Sequence, residues 1–481
     1  MVVRPAPAVG NQKFMNSKDT PPAAGVEQEL YAKRQKIYPR EVHGLFATLR
    51  TLGVFVLLGL YYGLPWLRWG DRQAVLLDLP ARQFHIFGIT FFPQDFFYLA
   101  VLLIIAALAL FFFTTLAGRL WCGYACPQTV WTEVFMWIER KVEGDRPRQM
   151  KLDKAPWTPR KVLIKGTKHT LWILFSLWTG YTFVGYFTPI TELAVKIGSL
   201  STGPWETFWV LFYGAATYLN AGWMREQVCI YMCPYARFQS AMFDENTLVI
   251  SYDPRRGEPR GSRKRGADPR ALGLGDCIDC TLCVQVCPTG IDIRDGLQYQ
   301  CIGCAACIDV CNQVMDKMGY PRGLIRYTTQ NALQGKPTRI LRPRVFVYSA
   351  VLLLLTVALV HALVTRVPLE VDVIRDRNAL YRVVGGSLVE NTYLLKIINM
   401  DTRPRRFVVA VSGIPGVRLA REPRIVDVAA TDVAEVPVRV RVPRARLDRT
   451  RYDVEFIVRA VDDRALKVSE RGRFLAPPPG S

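Results

Sequence analysis

Eight cysteines stand in two runs, Cys277-x2-Cys280-x2-Cys283-x3-Cys287-Pro288 and Cys301-x2-Cys304-x2-Cys307-x3-Cys311. Three thiolates so closely spaced can wrap three irons of one 4Fe–4S cube from a tight loop. The fourth lies on the following helical turn and points at a neighbouring cube. The spacing is that of a bacterial two-cluster ferredoxin. It assigns Cys277, Cys280, Cys283 and Cys311 to one cluster, and Cys287, Cys301, Cys304 and Cys307 to the other. A pair of zinc sites is the rival reading, but zinc favours separated Cys pairs or mixed Cys/His ligands. Pro288 follows the ferredoxin pattern, and Asn312 stands where many ferredoxins repeat the proline.

The remaining four of the twelve cysteines form two matching pairs, Cys122-x3-Cys126-Pro127 and Cys229-x3-Cys233-Pro234. Proline favours the first position of a helix, which places Cys126 and Cys233 at or near helix N-caps. Backbone N–H groups and the helix dipole there are expected to stabilise thiolates, the form that binds soft metals or passes electrons. The plain alternative is four small buried residues lining helix ends. No cysteine follows Cys311, so the pattern speaks for metal or redox chemistry in a reducing compartment, not for a disulfide framework. Of the four histidines, His361 falls within an apolar segment and is a functional candidate for that reason. A bis-histidine haem would need a second histidine at the same depth, and none is clearly placed. The run Asp253–Arg270, DPRRGEPRGSRKRGADPR, reads as a solvated loop touching anionic lipid or as a docking site for an acidic electron donor. Nucleic acid is not expected as a partner, because the run adjoins a membrane segment and lacks interleaved aromatics.

Half of the 481 residues are hydrophobic, 21% are charged, and the net charge is +21. That balance fits a membrane core with folded parts outside the bilayer. Five apolar segments reach spanning length, at about 46–67, 95–118, 168–188, 205–224 and 345–365. Ten Lys and Arg residues from Arg119 to Lys165 fill the loop after the second, whereas the loop after the third has Lys196 alone. The positive-inside rule then puts the N-terminus and residues 225–343 in the cytoplasm and the tail from about 367 outside. Residues 1–40 show no apolar stretch of signal-peptide type and read as loosely ordered. Two apolar segments precede each CxxxCP element, so the membrane core reads as a duplicated helical hairpin. Short β-branched runs in the tail, such as Tyr393–Ile398 and Val436–Val442, predict an immunoglobulin-like sandwich of about seven strands.

The expected fold is thus an α-helical membrane protein of about five transmembrane helices, with an inserted two-cluster ferredoxin domain and a C-terminal all-β sandwich. Its parts are an N-terminal cytoplasmic segment (1–42), a membrane core (43–245), a ferredoxin-like domain (246–343), a last transmembrane helix (344–366) and a periplasmic sandwich (367–481).

The chain resembles the FixG/CcoG/RdxA family of cytochrome c oxidase accessory proteins over nearly its whole length. The resemblance rests on WCGYACP at 121–127, VCIYMCP at 228–234, YDPRRGEPRG at 252–261, the paired ferredoxin motifs, and the order of spans before a β-sandwich tail. It implies a multi-pass protein of a bacterial inner membrane that serves assembly of cbb3-type cytochrome c oxidase. It further implies reduction of Cu(II) to Cu(I), with copper as substrate or transient ligand. Cys122, Cys126, Cys229 and Cys233 match the family's redox cysteines, and are the candidate catalytic and copper-binding residues. The implied partners are a cytoplasmic electron donor and copper chaperones or assembly factors of that oxidase; a homodimer is left open. Two rival functions stand beside this one: an electron-relay subunit feeding quinone or another membrane complex, and a non-catalytic assembly scaffold acting through its sandwich.

Overall fold

A computed structural model describes residues 36–377, 379–421 and 424–478. The described chain falls into two compact units, the first within 1–76 and 99–356, the second within 77–98 and 357–481.

The helices in chain order are α1 (Leu45–Gly63), α2 (Phe96–Ala117), α3 (Leu120–Tyr124), α4 (Pro127–Glu143), α5 (Arg146–Lys154), α6 (Pro159–Val184), α7 (Ile190–Gly198), α8 (Pro204–Thr217) and α9 (Pro234–Met242). Then come α10 (Pro254–Gly257), α11 (Leu282–Gln285), α12 (Ala306–Met318), α13 (Gln330–Leu333) and α14 (Pro343–Val364). Among the described residues, three stretches are helical, long and apolar enough to cross a membrane: Leu45–Trp66, Pro93–Ala117 and Pro343–Val364. The helix α2 carries no charge, and it stops where Gly118 turns left-handed at φ +57° and its N–H bonds back to Thr114.

The other two expected spans take a different form. The first turns of α6 carry Arg160, Lys161, Lys165 and Lys168, so its apolar part begins near Leu171. Regular α-helix in α8 gives way at Thr217 to π-helical turns over Tyr218–Met224. These two helices pack on small residues: a Cβ on Gly180 would collide with the Val210 carbonyl and come within 2.9 Å of the Gly214 nitrogen. Such close backbone approach is the packing mode of helices in lipid. Leu174, Trp178, Phe208, Leu211 and Phe212 are exposed on this pair.

The part of the N-terminal segment that is described departs from expectation. Residues 36–42 are packed down, with Tyr38 donating to Asp153 at 2.7 Å and Arg40 N–H to the Gln285 carbonyl at 2.8 Å. The rest of that segment lies outside the described residues.

A two-stranded sheet, Val249–Tyr252 antiparallel to Ile325–Thr328, braces the cysteine-rich segment from behind. The start of α1 is fixed to it: the Asp309 carboxylate on α12 accepts from Phe46 and Ala47 N–H at 3.3 and 2.8 Å. A carboxylate at a helix N-terminus satisfies free N–H groups and complements the dipole.

In the second unit, Leu369–Arg375, Leu388–Asn399, Val433–Pro443 and Arg418–Leu419 form one sheet, with Arg382–Val384 beside Leu388–Asn399. Arg424–Val428, Arg405–Ser412, Arg451–Ala460 and Lys467–Leu475 form the other. Tyr393, Phe407, Phe456 and Phe474 fill the space between, and the Tyr393 hydroxyl donates to the Arg473 carbonyl at 2.9 Å. This is the sandwich that the strand pattern predicts. Unforeseen in the sequence is a small sheet over Val75–Asp78, Gln83–Ile86 and Ile89–Phe91. Beside it, Phe92 packs on Ile398 and Met400, and Asp95 pairs with Arg366.

Candidate iron–sulfur and thiol site

The two ferredoxin-type loops share one backbone trick. Asp279 and Thr281 flank Cys280 with φ of +53° and +56°, and Gly303 and Ala305 flank Cys304 with φ of +71° and +58°. Alternation of left- and right-handed residues turns successive N–H groups inward, a concavity suited to an anionic group. Gly303 N–H is directed at the Cys301 sulfur, and Thr289 and Ile291 N–H at that of Cys287.

Two cavities result. One is lined by Cys277, Cys280, Cys283 and Cys311. The other is lined by Cys287, Cys301, Cys304 and Cys307, with Cys283 on the wall it shares with the first. The last cysteine of each run thus stands with the first three of the other. Burial, reinforced by the neighbouring thiols, pushes Cys311 up to about 12, and burial pushes Cys301 to about 12. Thiols held protonated by burial and by one another ionise readily only against concentrated positive charge. Among the described residues, no three Cys, His, Asp or Glu side chains converge as a single ion would require. Four thiols around a cavity, backed by inward N–H groups, instead fit a polynuclear iron–sulfur group.

The CxxxCP elements fold alike. In the first, the Cys126 N–H bonds to the Trp121 carbonyl at 2.8 Å; in the second, the Cys233 N–H bonds to that of Val228 at 2.8 Å. Four residues before each first cysteine the chain turns left-handed, at Gly118 (φ +57°) and Arg225 (φ +45°). Cys126 and Cys233 are the N-caps of α4 and α9, as the prolines predict. The two copies are laced together by Gln128, which donates to the Asn220 and Arg225 carbonyls at 2.8 and 3.1 Å.

The four thiols are near enough to influence one another, Cys122 with Cys126 and Cys229, and Cys233 with Cys126 and Cys229, although no three of them converge as a single ion would require. Burial first, then the neighbouring Cys126, pushes Cys122 up to about 12, while Arg119 pulls the other way. Cys229 rises to about 11 through burial and the nearness of Cys126 and Cys233. Cys126 corrects the expectation of stabilised thiolates. Burial raises it even though Thr129 and Gln128 N–H groups are directed at its sulfur, because desolvation outweighs the cap.

Backbone contact joins this quartet to the second cavity. A Cβ on Gly123 would lie 2.7 Å from the Gly303 carbonyl oxygen and 3.0 Å from the Cys304 nitrogen. The buried Arg119 guanidinium donates to the Cys301 carbonyl at 3.1 Å and also binds the Tyr299 and Ala236 carbonyls. Arg50 donates to the Cys304 carbonyl at 2.8 Å. A further, small cavity is lined by Cys229 and Cys304 together, with Glu133, Arg225 and Glu226 on its wall. Sequence reading missed Gly123, Arg119 and Arg50. The signal available was slight: a glycine inside the first CxxxC where the second copy has Ile230, and two arginines at the ends of apolar runs. His361 is exposed on α14, and His169 is engaged by Tyr218 at 2.8 Å.

Known proteins resemble this chain in sequence. The chain matches models for a 4Fe-4S binding domain at 99–143, a 4Fe-4S dicluster domain at 224–330, and the IG-like fold at the C-terminus of FixG at 359–477. It is 40% identical to nitrogen fixation protein FixG of Rhizobium meliloti over 460 residues, covering 88% of this chain and 87% of that one. The chain belongs to the FixG family. Protein RdxA of Cereibacter sphaeroides is 43% identical over 425 residues, and covers 85% of this chain with 88% of its own. Protein RdxB of the same organism is 43% identical over 423 residues. This FixG-family chain is a bacterial membrane protein with 4Fe–4S ferredoxin domains and an immunoglobulin-like tail, an iron–sulfur oxidoreductase in a redox or assembly role.

Proposed function

We propose that this chain reduces Cu(II) to Cu(I) at Cys122, Cys126, Cys229 and Cys233, for the copper centre of a cbb3-type oxidase. The supporting observation is the seating of Gly123, between Cys122 and Cys126, on the backbone of Gly303 and Cys304. Cys277, Cys280, Cys283 and Cys311 would hold one 4Fe–4S cluster, and Cys287, Cys301, Cys304 and Cys307 the other. When bound, these clusters supply one-electron carriers. The chain's own residues do the rest. Arg119 and Arg50 hold the Cys301–Cys304 loop against α3, and Arg119 keeps positive charge among the thiols. Gln128 holds the two CxxxCP elements in register. Soft sulfur ligands favour Cu(I), so a pair of these thiols would stabilise the reduced ion. Burial keeps Cys122, Cys126 and Cys229 protonated until a cation displaces the protons, which ties metal binding to proton release.

Five spans complete the proposal, with α6 and α8 as a lipid-exposed pair in addition to the three more apolar helices. Residues 1–42 and 246–343 would then be cytoplasmic and the sandwich periplasmic, on the charge asymmetry between the loops. The test of copper reduction is a Cys126→Ala/Cys233→Ala variant, with Cu(II) reduction read by a Cu(I) chelator and normalised to iron. Unchanged iron with reduction abolished is expected. Wild-type rates would make the pairs structural.

A further inference from the structure

The two cysteine-lined cavities differ in what surrounds them. The one with Cys301 and Cys304 abuts α3 and Arg50 of α1. The lining of the other comes from Tyr252 to Ile325 alone, and it reaches the surface at Cys280, which is exposed while Cys277 and Cys283 are buried. The arginine-rich segment 253–270 is bonded to the Cys277 end of the loop that carries Cys280. Gly261 N–H bonds to the Cys277 carbonyl at 3.2 Å, and Asp276 N–H to that of Arg256 at 2.9 Å. Arg263 donates to the Gly275 carbonyl at 2.7 Å and the Tyr320 hydroxyl at 2.9 Å. The segment is therefore pinned to the Cys277 loop.

Seven Lys and Arg residues stand in 253–270 against three acids, Asp253, Glu258 and Asp268. Arg256 is spent on Asp276, and Asp253 on Arg326. Arg255, Arg260, Lys264, Arg265 and Arg270 are exposed. A cationic rim pinned to the loop that carries an exposed cysteine is what a negatively charged redox partner would need for steering and for close approach.

We propose that this rim is the docking surface for a small acidic one-electron carrier protein, which delivers electrons at the Cys280 edge. The inference rests on the reading that Cys277, Cys280, Cys283 and Cys311 hold a cluster. In each encounter the carrier is oxidised by one electron and this chain is reduced by one, and no bond forms or breaks. An anionic lipid surface seated on the same charges would cover Cys280 and close that edge to any donor, so the carrier is the better occupant.

The test uses the full-length protein, purified in detergent without oxygen, and flavodoxin as the acidic probe. Binding of flavodoxin should weaken at least about tenfold between ~20 and ~200 mM salt. An Arg260→Glu/Lys264→Glu/Arg265→Glu variant should bind at least about tenfold more weakly at the lower salt. Its iron content and bleaching by dithionite should match the wild type, and reduced methyl viologen, a small cation, should reduce it no more slowly. Flavodoxin binding that ignores both salt and the charge reversal would overturn the inference. So would binding to phosphatidylglycerol vesicles that the reversal abolishes, in a protein that does not bind flavodoxin. Wild-type protein without iron–sulfur absorbance would instead remove the underlying cluster assignment.

Discussion

Replacing Gly123 with alanine tests the junction between the thiol quartet and the second cysteine loop. The new methyl would sit 2.7 Å from the Gly303 oxygen, 2.8 Å from the Gly303 carbonyl carbon and 3.0 Å from the Cys304 nitrogen. Contact between non-bonded heavy atoms is comfortable near 3.5 Å, so the backbones must part by about 0.8 Å. No side chain can swing aside, because all three neighbours are main-chain atoms. Nor can the loop retreat freely, since Arg119 and Arg50 grip the Cys301 and Cys304 carbonyls. Overpacking of this kind costs about 1–3 kcal/mol. Retreat of α3 would also move Cys122 away from the loop. The control is Gly166→Ala in α6, where nothing lies within 4 Å of the added carbon. That change should be neutral or stabilise by about 0.5–1 kcal/mol through reduced backbone freedom. The assays are denaturant-induced loss of iron–sulfur absorbance and Cu(II) reduction per iron. Gly123→Ala is expected to lower both, and Gly166→Ala neither. Equal stability and equal reduction in the two variants would refute the idea that this contact couples the sites.

Iron and acid-labile sulfide should each come to about eight per chain in anaerobically purified protein; stoichiometric zinc without visible absorbance would contradict the cluster assignment. A reporter fused after Ser481 should be active only in a form that requires export, and a cytoplasm-only reporter active there would reverse the topology. Burial alone would raise the Asp153 carboxyl, but Lys165, Lys36 and Tyr38 all donate to it and hold it well below the usual carboxylate range. Its contribution to stability is therefore present above the unfolded value of about 3.9 and is lost as pH falls below that. The margin of wild type over Asp153→Asn, followed by tryptophan fluorescence in denaturant, should hold from pH 8 to 5 and shrink in acid; a margin independent of pH would count against the reading.

Some of this molecule is written locally. Cysteine spacing shows in the sequence because a ligand loop is built from neighbours, and only a few residues set which thiols can reach one cube. Proline after Cys126 and Cys233 marks helix starts for the same reason, and both are N-caps. Alternating β-branched runs locate the sandwich strands, since strand periodicity belongs to the segment itself. Uncharged runs locate α2 and α14.

Other features depend on what a segment meets. Burial decides the state of Cys126, and the depth of a thiol cannot be read from its flanking proline. Nothing in residues 75–91 announces strands, because each run is too short to show a period. Whether a glycine is filler or a point of contact is equally invisible. Gly166 faces open space, whereas Gly123 meets a backbone 180 positions further along the chain, where Gly303 stands. The exposure of Cys280, on a loop held by an arginine-rich segment at Cys277, with Cys304 turned inward against α1, likewise follows from how distant segments pack. Sequence alone specifies two sets of thiols; the tertiary fold gives one of them an open edge and sets the other against the quartet, because burial and contact are properties of the packed chain and not of any stretch within it.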